Sequence, residues 1–154
     1  MVNSLIGIHA ITGILAIFTF LLVFIELLSP TEKTIKRIQV FAYIGTILIF
    51  VSWIIGGYYY VAHYGPDVKP AIKEGSNPWV HSIIMETKEH IFLFLPFLAI
   101  LVTGMIFRFN IDLLKNHKTK SSVLILSALI ILIGLVIAGM GYLVSAGARV
   151  AGVG

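Results

Sequence analysis

The chain has no cysteine in its 154 residues. That excludes disulfides, iron–sulfur clusters held by thiolates, cysteine metal ligands and covalent haem attachment through C-x-x-C-H. Charge is scarce as well. Asp, Glu, Lys and Arg make up 12% of the sequence, about half the share of an ordinary soluble domain. The formal charge of +4 is no mark of nucleic-acid binding, because the basic residues sit beside apolar runs, where membrane topology places them. No Lys or Arg precedes the first apolar run. That run is too long for a signal-peptide core and is not followed by a small-residue cleavage site, so it reads as a retained helix. There is no nucleophile elbow, phosphate loop, dinucleotide fingerprint or H-E-x-x-H, which argues against a self-contained hydrolase or an ATP-driven pump. Internal repeats and low-complexity tracts are absent too.

Apolar residues are abundant, at 58%. Four runs, over residues 5–28, 38–60, 91–109 and 123–145, reach the roughly 20 residues that cross a bilayer as helix. They are continuously apolar and do not alternate, which favours helices over a barrel. The expected fold class is all-α, an integral membrane four-helix bundle running up-down-up-down, with one domain over residues 1–154. Pro30 ends the first helix, and Ser-Pro-Thr-Glu caps the connector after it. The segment 65–78 holds Gly65-Pro66, Pro70, Gly75 and Asn77-Pro78 and reads as a turn-rich loop. Pro78 opens the third helix, whose residues 79–90 form a polar, outward extension. Pro96 kinks that helix below His90.

Orientation follows from Lys and Arg. Segment 29–37 carries Lys33, Lys36 and Arg37, and segment 108–122 carries Arg108, Lys115, Lys118 and Lys120. The middle loop has only Lys69 and Lys73. The positive-inside rule puts the first and third connections in the cytoplasm and both termini outside, in a plasma (inner) membrane.

Four of the five histidines then lie toward the outer face. At about 1.5 Å per residue, His9, His63 and His90 come from three helices to one level, with His81 higher on the extension. Tyr58, Tyr59, Tyr60 and Tyr142 form an aromatic belt at that depth. His117 reads as a solvated cytoplasmic residue. Histidines that converge in a membrane bind haem or metal or relay protons. Singly, each also reads as an interfacial anchor. Glu86 and Glu89 accompany His90, and Glu86 and His90 share a helical face. This pattern suits a metal ligand pair or a carboxylate that orients an imidazole, or an ordinary charged cap with Lys88 pairing locally. Glu26 is a costly intramembrane charge, with Arg37 or Arg108 as its expected partner. Gly7, Gly13, Gly56, Gly57, Gly139, Gly141 and Gly147 lie at or near the histidine level. They allow close helix packing and also leave room for a flat macrocycle.

Three functions follow as expectations. The first is a small cytochrome b-like protein with haem b near the outer face, for electron transfer. His9 and His90 are its ligands, with His63 the alternative partner, His81 nearby, Gly13 making room and Arg149 facing a propionate. The second is a non-haem site for an Fe, Zn or Mn ion on His9, His63, His90, Glu86 and Glu89, or a proton- or quinone-handling site built from the same groups. The third is a structural anchor subunit of a larger complex. An electron-transfer protein or oxidoreductase subunit is favoured over a self-contained enzyme. The expected partners are the lipid bilayer, a redox partner or larger membrane complex and a second copy of the chain, with no nucleic acid.

Overall fold

The computed structural model describes residues 2–154; Met1, the first residue of the single-domain reading, lies outside them. The described chain is helical with no strand. Four helices are long and apolar enough to cross a membrane. They are α1 (Val2–Leu28), α2 (Glu32–Glu74), α3 (Val80–Phe109) and α4 (His117–Val150). A single turn, Asp112–Lys115, lies between α3 and α4.

The helix ends follow ordinary capping chemistry. Thr31 caps α2 by accepting from the Thr34 amide, and the Thr34 hydroxyl accepts from the Thr31 amide. The capping box at Ser-Pro-Thr-Glu thus uses Thr31 and Thr34 rather than a carboxylate. Asn116 caps α4 through the Thr119 amide. Asn110 closes α3 with φ 40°, a left-handed conformation that asparagine tolerates better than most residues. Pro78 opens α3 as expected, its carbonyl accepting from the His81 and Ser82 amides. The break in α3 falls at Leu93, three residues before Pro96. Proline has no N–H to offer and crowds the carbonyl four residues back, which is Phe92.

Buried positions fall in stripes at three- and four-residue steps. They are Ala16, Phe20, Val23 and Leu27 on α1, Ile35, Ile38, Ala42, Gly45, Ile49 and Ser52 on α2, and Leu95, Ala99, Val102 and Ile106 on α3. On α4 the stripe runs through Val123, Ser127, Ile130, Gly134 and Ile137. Small residues in these stripes let backbones approach. A Cβ on Gly45 would come within 2.9 Å of Phe20, and one on Gly134 within 2.7 Å of Ile17. The main contacts join α1 to α2, α2 to α3, α3 to α4 and α4 back to α1. Between α2 and α3, the Thr46 and Thr103 hydroxyls lie 2.8 Å apart and both lie within hydrogen-bond reach of the Ala42 carbonyl, so one donates to that carbonyl and the other to its neighbouring hydroxyl.

The segment read as a turn-rich loop is mostly helix. Beyond Tyr59, α2 continues as a π-helical stretch, Tyr60–Val68, and a last α segment, Lys69–Glu74. The start of α3, Val80–Met85, is π-helical as well. Pro66 sits inside the first stretch, where its missing N–H favours the wider winding over an α turn. The extension is not polar on all sides. Tyr64, Val68, Ile72, Val80, Met85, Val144 and Ala148 form a second apolar cluster there, distinct from the main core of the bundle.

Candidate functional site

The two π-helical stretches hold two buried residues whose side chains meet in the half of the molecule beside the 74–80 connection. Tyr64 lies in the first and His81 in the second. Both are 1% exposed. The Tyr64 hydroxyl is 3.1 Å from His81 Nδ1, and Tyr60 stacks on Tyr64 at 5.3 Å between ring centroids. On its other side, His81 Nε2 lies 3.8 Å from Glu86 Oε1. That is too long for a direct hydrogen bond and within reach of a water bridge. His81 Nε2 is buried without a hydrogen-bond partner, as is Glu89 Oε1. The carboxylate beside Nε2 favours the tautomer with its proton on that nitrogen, so the Tyr64 hydroxyl donates to Nδ1. The result is a buried, hydrogen-bonded Tyr64–His81 pair with the half-exposed Glu86 carboxylate 3.8 Å from its free ring nitrogen.

Winding makes this arrangement possible. His81 and Glu86 are five residues apart, so on an α-helix their side chains would diverge by about 140°. The i→i+5 winding of Val80–Met85 brings them to one face. Sequence reasoning linked Glu86 to His90 through α-helical spacing, and that link exists in another form. His90 Nδ1 donates to the Glu86 carbonyl at 2.6 Å, while its ring lies on the exposed side of α3.

The other site candidates are placed as follows. His9 is half-buried against α2, where its Nδ1 donates to the Ser52 carbonyl at 2.9 Å and the Ser52 hydroxyl donates to the His9 carbonyl at 3.0 Å. Gly56 gives this ring room, since a Cβ there would meet it at 2.7 Å. Gly13 packs against Ser52, with 3.4 Å between its would-be Cβ and the hydroxyl. His63 is half-buried and lies among the tyrosines of its own helix, 6.0 Å from the Tyr59 ring centroid. Arg149 is exposed near the end of α4. His117 is exposed at the first turn of α4. Glu26 pairs with Arg37 at 3.0 Å. Lys88 has no carboxylate within ion-pair distance among the described residues, so the local pairing expected for it does not occur.

The structure therefore brings together His81, Tyr64 and Glu86. It does not assemble His9, His63 and His90. No three His, Asp or Glu side chains among the described residues gather as a metal ion would require. Two residues of this region escaped the sequence reading. Ser52 holds His9, and Tyr64 holds His81. The available signal for Tyr64 was its place one turn after Tyr60, which continues the aromatic run on one helical face. Comparison with protein-family models, curated proteins and solved structures finds no match to this chain.

Proposed function

We propose that this chain is a proton- and quinone-handling protein of a plasma (inner) membrane, with its working site at the outer end of an up-down-up-down bundle whose termini both face outward. The contact order across the interfaces supports the alternating direction. Gly45 meets Phe20 while Gly56 meets His9, and Val80 meets Gly147 while Lys88 meets Gly141. The later residue of one helix thus faces the earlier residue of its neighbour. The Lys and Arg asymmetry supports the sidedness.

The observation that carries the function is the buried His81 imidazole between the Tyr64 hydroxyl and the Glu86 carboxylate. An imidazole with one ring nitrogen held and the other unsatisfied donates to a quinone carbonyl or accepts from a quinol hydroxyl, according to its tautomer. Glu86, with its side chain 56% exposed, is placed to exchange the proton with water. Trp79, two residues before His81 and exposed, gives a readout. A short-chain benzoquinone should quench Trp79 fluorescence saturably in detergent. His81→Gln and Tyr64→Phe should each weaken that binding about tenfold, the loss of one buried hydrogen bond. Unchanged affinity in both variants sinks this reading.

A second reading, haem b held by His9 and His90, is favoured by how these rings are held. Each donates Nδ1–H to a backbone carbonyl, which leaves Nε2 as the basic nitrogen, the tautomer an axial ligand needs. A visible absorption spectrum of the reduced, purified protein decides it. A sharp Soret and α-band pair that disappears in His9→Ala and His90→Ala supports haem, and a colourless protein removes it.

A further inference from the structure

We propose that Lys88 binds the oxyanion, a carboxylate or phosphate, of an amphipathic ligand lodged between α3 and α4. This inference stands apart from the His81 site. Lys88 is half-buried and extends toward α4. Its Nζ lies 3.8 Å, and its Cε 3.9 Å, from where a Cβ on Gly141 would stand. The glycine opposite thus leaves the space that the ammonium approaches. The stretch Glu86–Phe92, which carries Lys88, packs on α4.

Nothing on the neighbouring helices neutralises this charge. α4 has no Asp or Glu along its whole length, and the only acid of α1 is Glu26, near its opposite end. The ion pairs among the described residues are Glu26 with Arg37 and His81 with Glu86. Glu89, adjacent in sequence, acts on Lys88 only at longer range, and its Oε1 is itself buried without a partner. An ammonium drawn inward among apolar helices is costly unless an anion accompanies it. Simple snorkelling to the headgroups would turn the side chain outward along its own helix, yet it turns across to Gly141. A ligand that supplies the anion balances the site.

The test uses the full chain in phosphatidylcholine nanodiscs with three spin-labelled probes: stearate, phosphatidylglycerol and phosphatidylcholine. Wild type should immobilise at least one anionic probe about tenfold more tightly than the zwitterionic one, as expected for one charge-assisted hydrogen-bonded pair. Preference for stearate identifies a free carboxylate as the ligand type, and preference for phosphatidylglycerol identifies a lipid phosphate. Lys88→Arg should keep the preference, and Lys88→Gln and Lys88→Met should erase it. Lys88 is half-buried and has no ion-pair partner to lose, so Lys88→Met without ligand should unfold at the same temperature as wild type or higher. No anion preference in wild type, or a preference that persists in Lys88→Met and Lys88→Gln, overturns the proposal.

Discussion

His9 is held by two hydrogen bonds and one absence. Its Nδ1 donates to the Ser52 carbonyl and its own carbonyl accepts from the Ser52 hydroxyl, while Gly56 supplies no Cβ. A methyl at position 56 would sit 2.7 Å from the ring, well inside the roughly 3.5 Å of a favourable carbon contact. Gly56→Ala should therefore push the imidazole off Ser52. The expected cost is about 1–3 kcal/mol of overpacking, read as a lower denaturation midpoint in detergent. Gly57→Ala is the control, because a Cβ there meets nothing within 4 Å, and it should leave the midpoint almost unchanged. Equal behaviour of the two variants would contradict the pose of His9. At this scale the sequence displayed the reactive residues but not their partners. His9 was conspicuous because histidine is rare in apolar helices. Ser52 was not, because serine is common in such helices and its meeting with His9 spans 43 positions.

At the scale of the helices, lipid hides the information that water would expose. A helix of a soluble protein shows which side is buried by its polar face. Here Ile14, Phe18 and Ile25 are exposed on the same helix that buries Phe20 and Val23, so every side of α1 is apolar. The existence and rough span of the four helices were legible, and their buried faces were not. The three- and seven-residue spacing of small and polar residues, Ala42, Gly45 and Ser52 or Ser127 and Gly134, is the trace that survives. The π-helical stretches were illegible for another reason. Their turn signals, Gly65-Pro66 and Pro70, serve equally in a loop and in a widened helix, and the apolar cluster beneath them decides in favour of the helix. Association between such helices rests on close packing and interhelical hydrogen bonds rather than on expulsion of water. The pair Thr46 and Thr103 tests this. Their hydroxyls are 2.8 Å apart, and each is also within hydrogen-bond reach of the Ala42 carbonyl, so either one keeps a partner when the other is lost. A double-mutant cycle with Thr46→Val and Thr103→Val should give a coupling of about 0.6 kcal/mol, the usual size for such bonds in membranes. A coupling of zero would mean that the helix pair is held by shape alone.

For the whole molecule, the decisive question is which end of the bundle meets which compartment, because His81, Tyr64, Lys88, His9 and His90 all lie in the half beside the 74–80 connection. The charges at the two ends are unequal. The connection between α1 and α2 and the first turns of α2 carry Lys33, Lys36 and Arg37, and the α3–α4 connection carries Arg108, Lys115, Lys118 and Lys120. The other end has Lys69, Lys73, Lys88 and Arg149. Glu26 offsets Arg37 in the folded protein, but orientation is set during insertion, when Lys and Arg count and acidic residues count little. The proposed orientation follows from this rule, with the end richer in Lys and Arg in the cytoplasm. Single cysteines can be introduced without background, since the chain has none. Ser76 is exposed between α2 and α3, and Ser122 is exposed on the first turns of α4. In intact cells a membrane-impermeant maleimide should label Ser76→Cys and should reach Ser122→Cys only after the membrane is permeabilised. The reverse pattern would turn the bundle over, and the proposed His81 site would then face the cytoplasm. Labelling at both positions in intact cells would mean an even number of crossings between them, so α3 would not span, and the four-helix reading itself would fall.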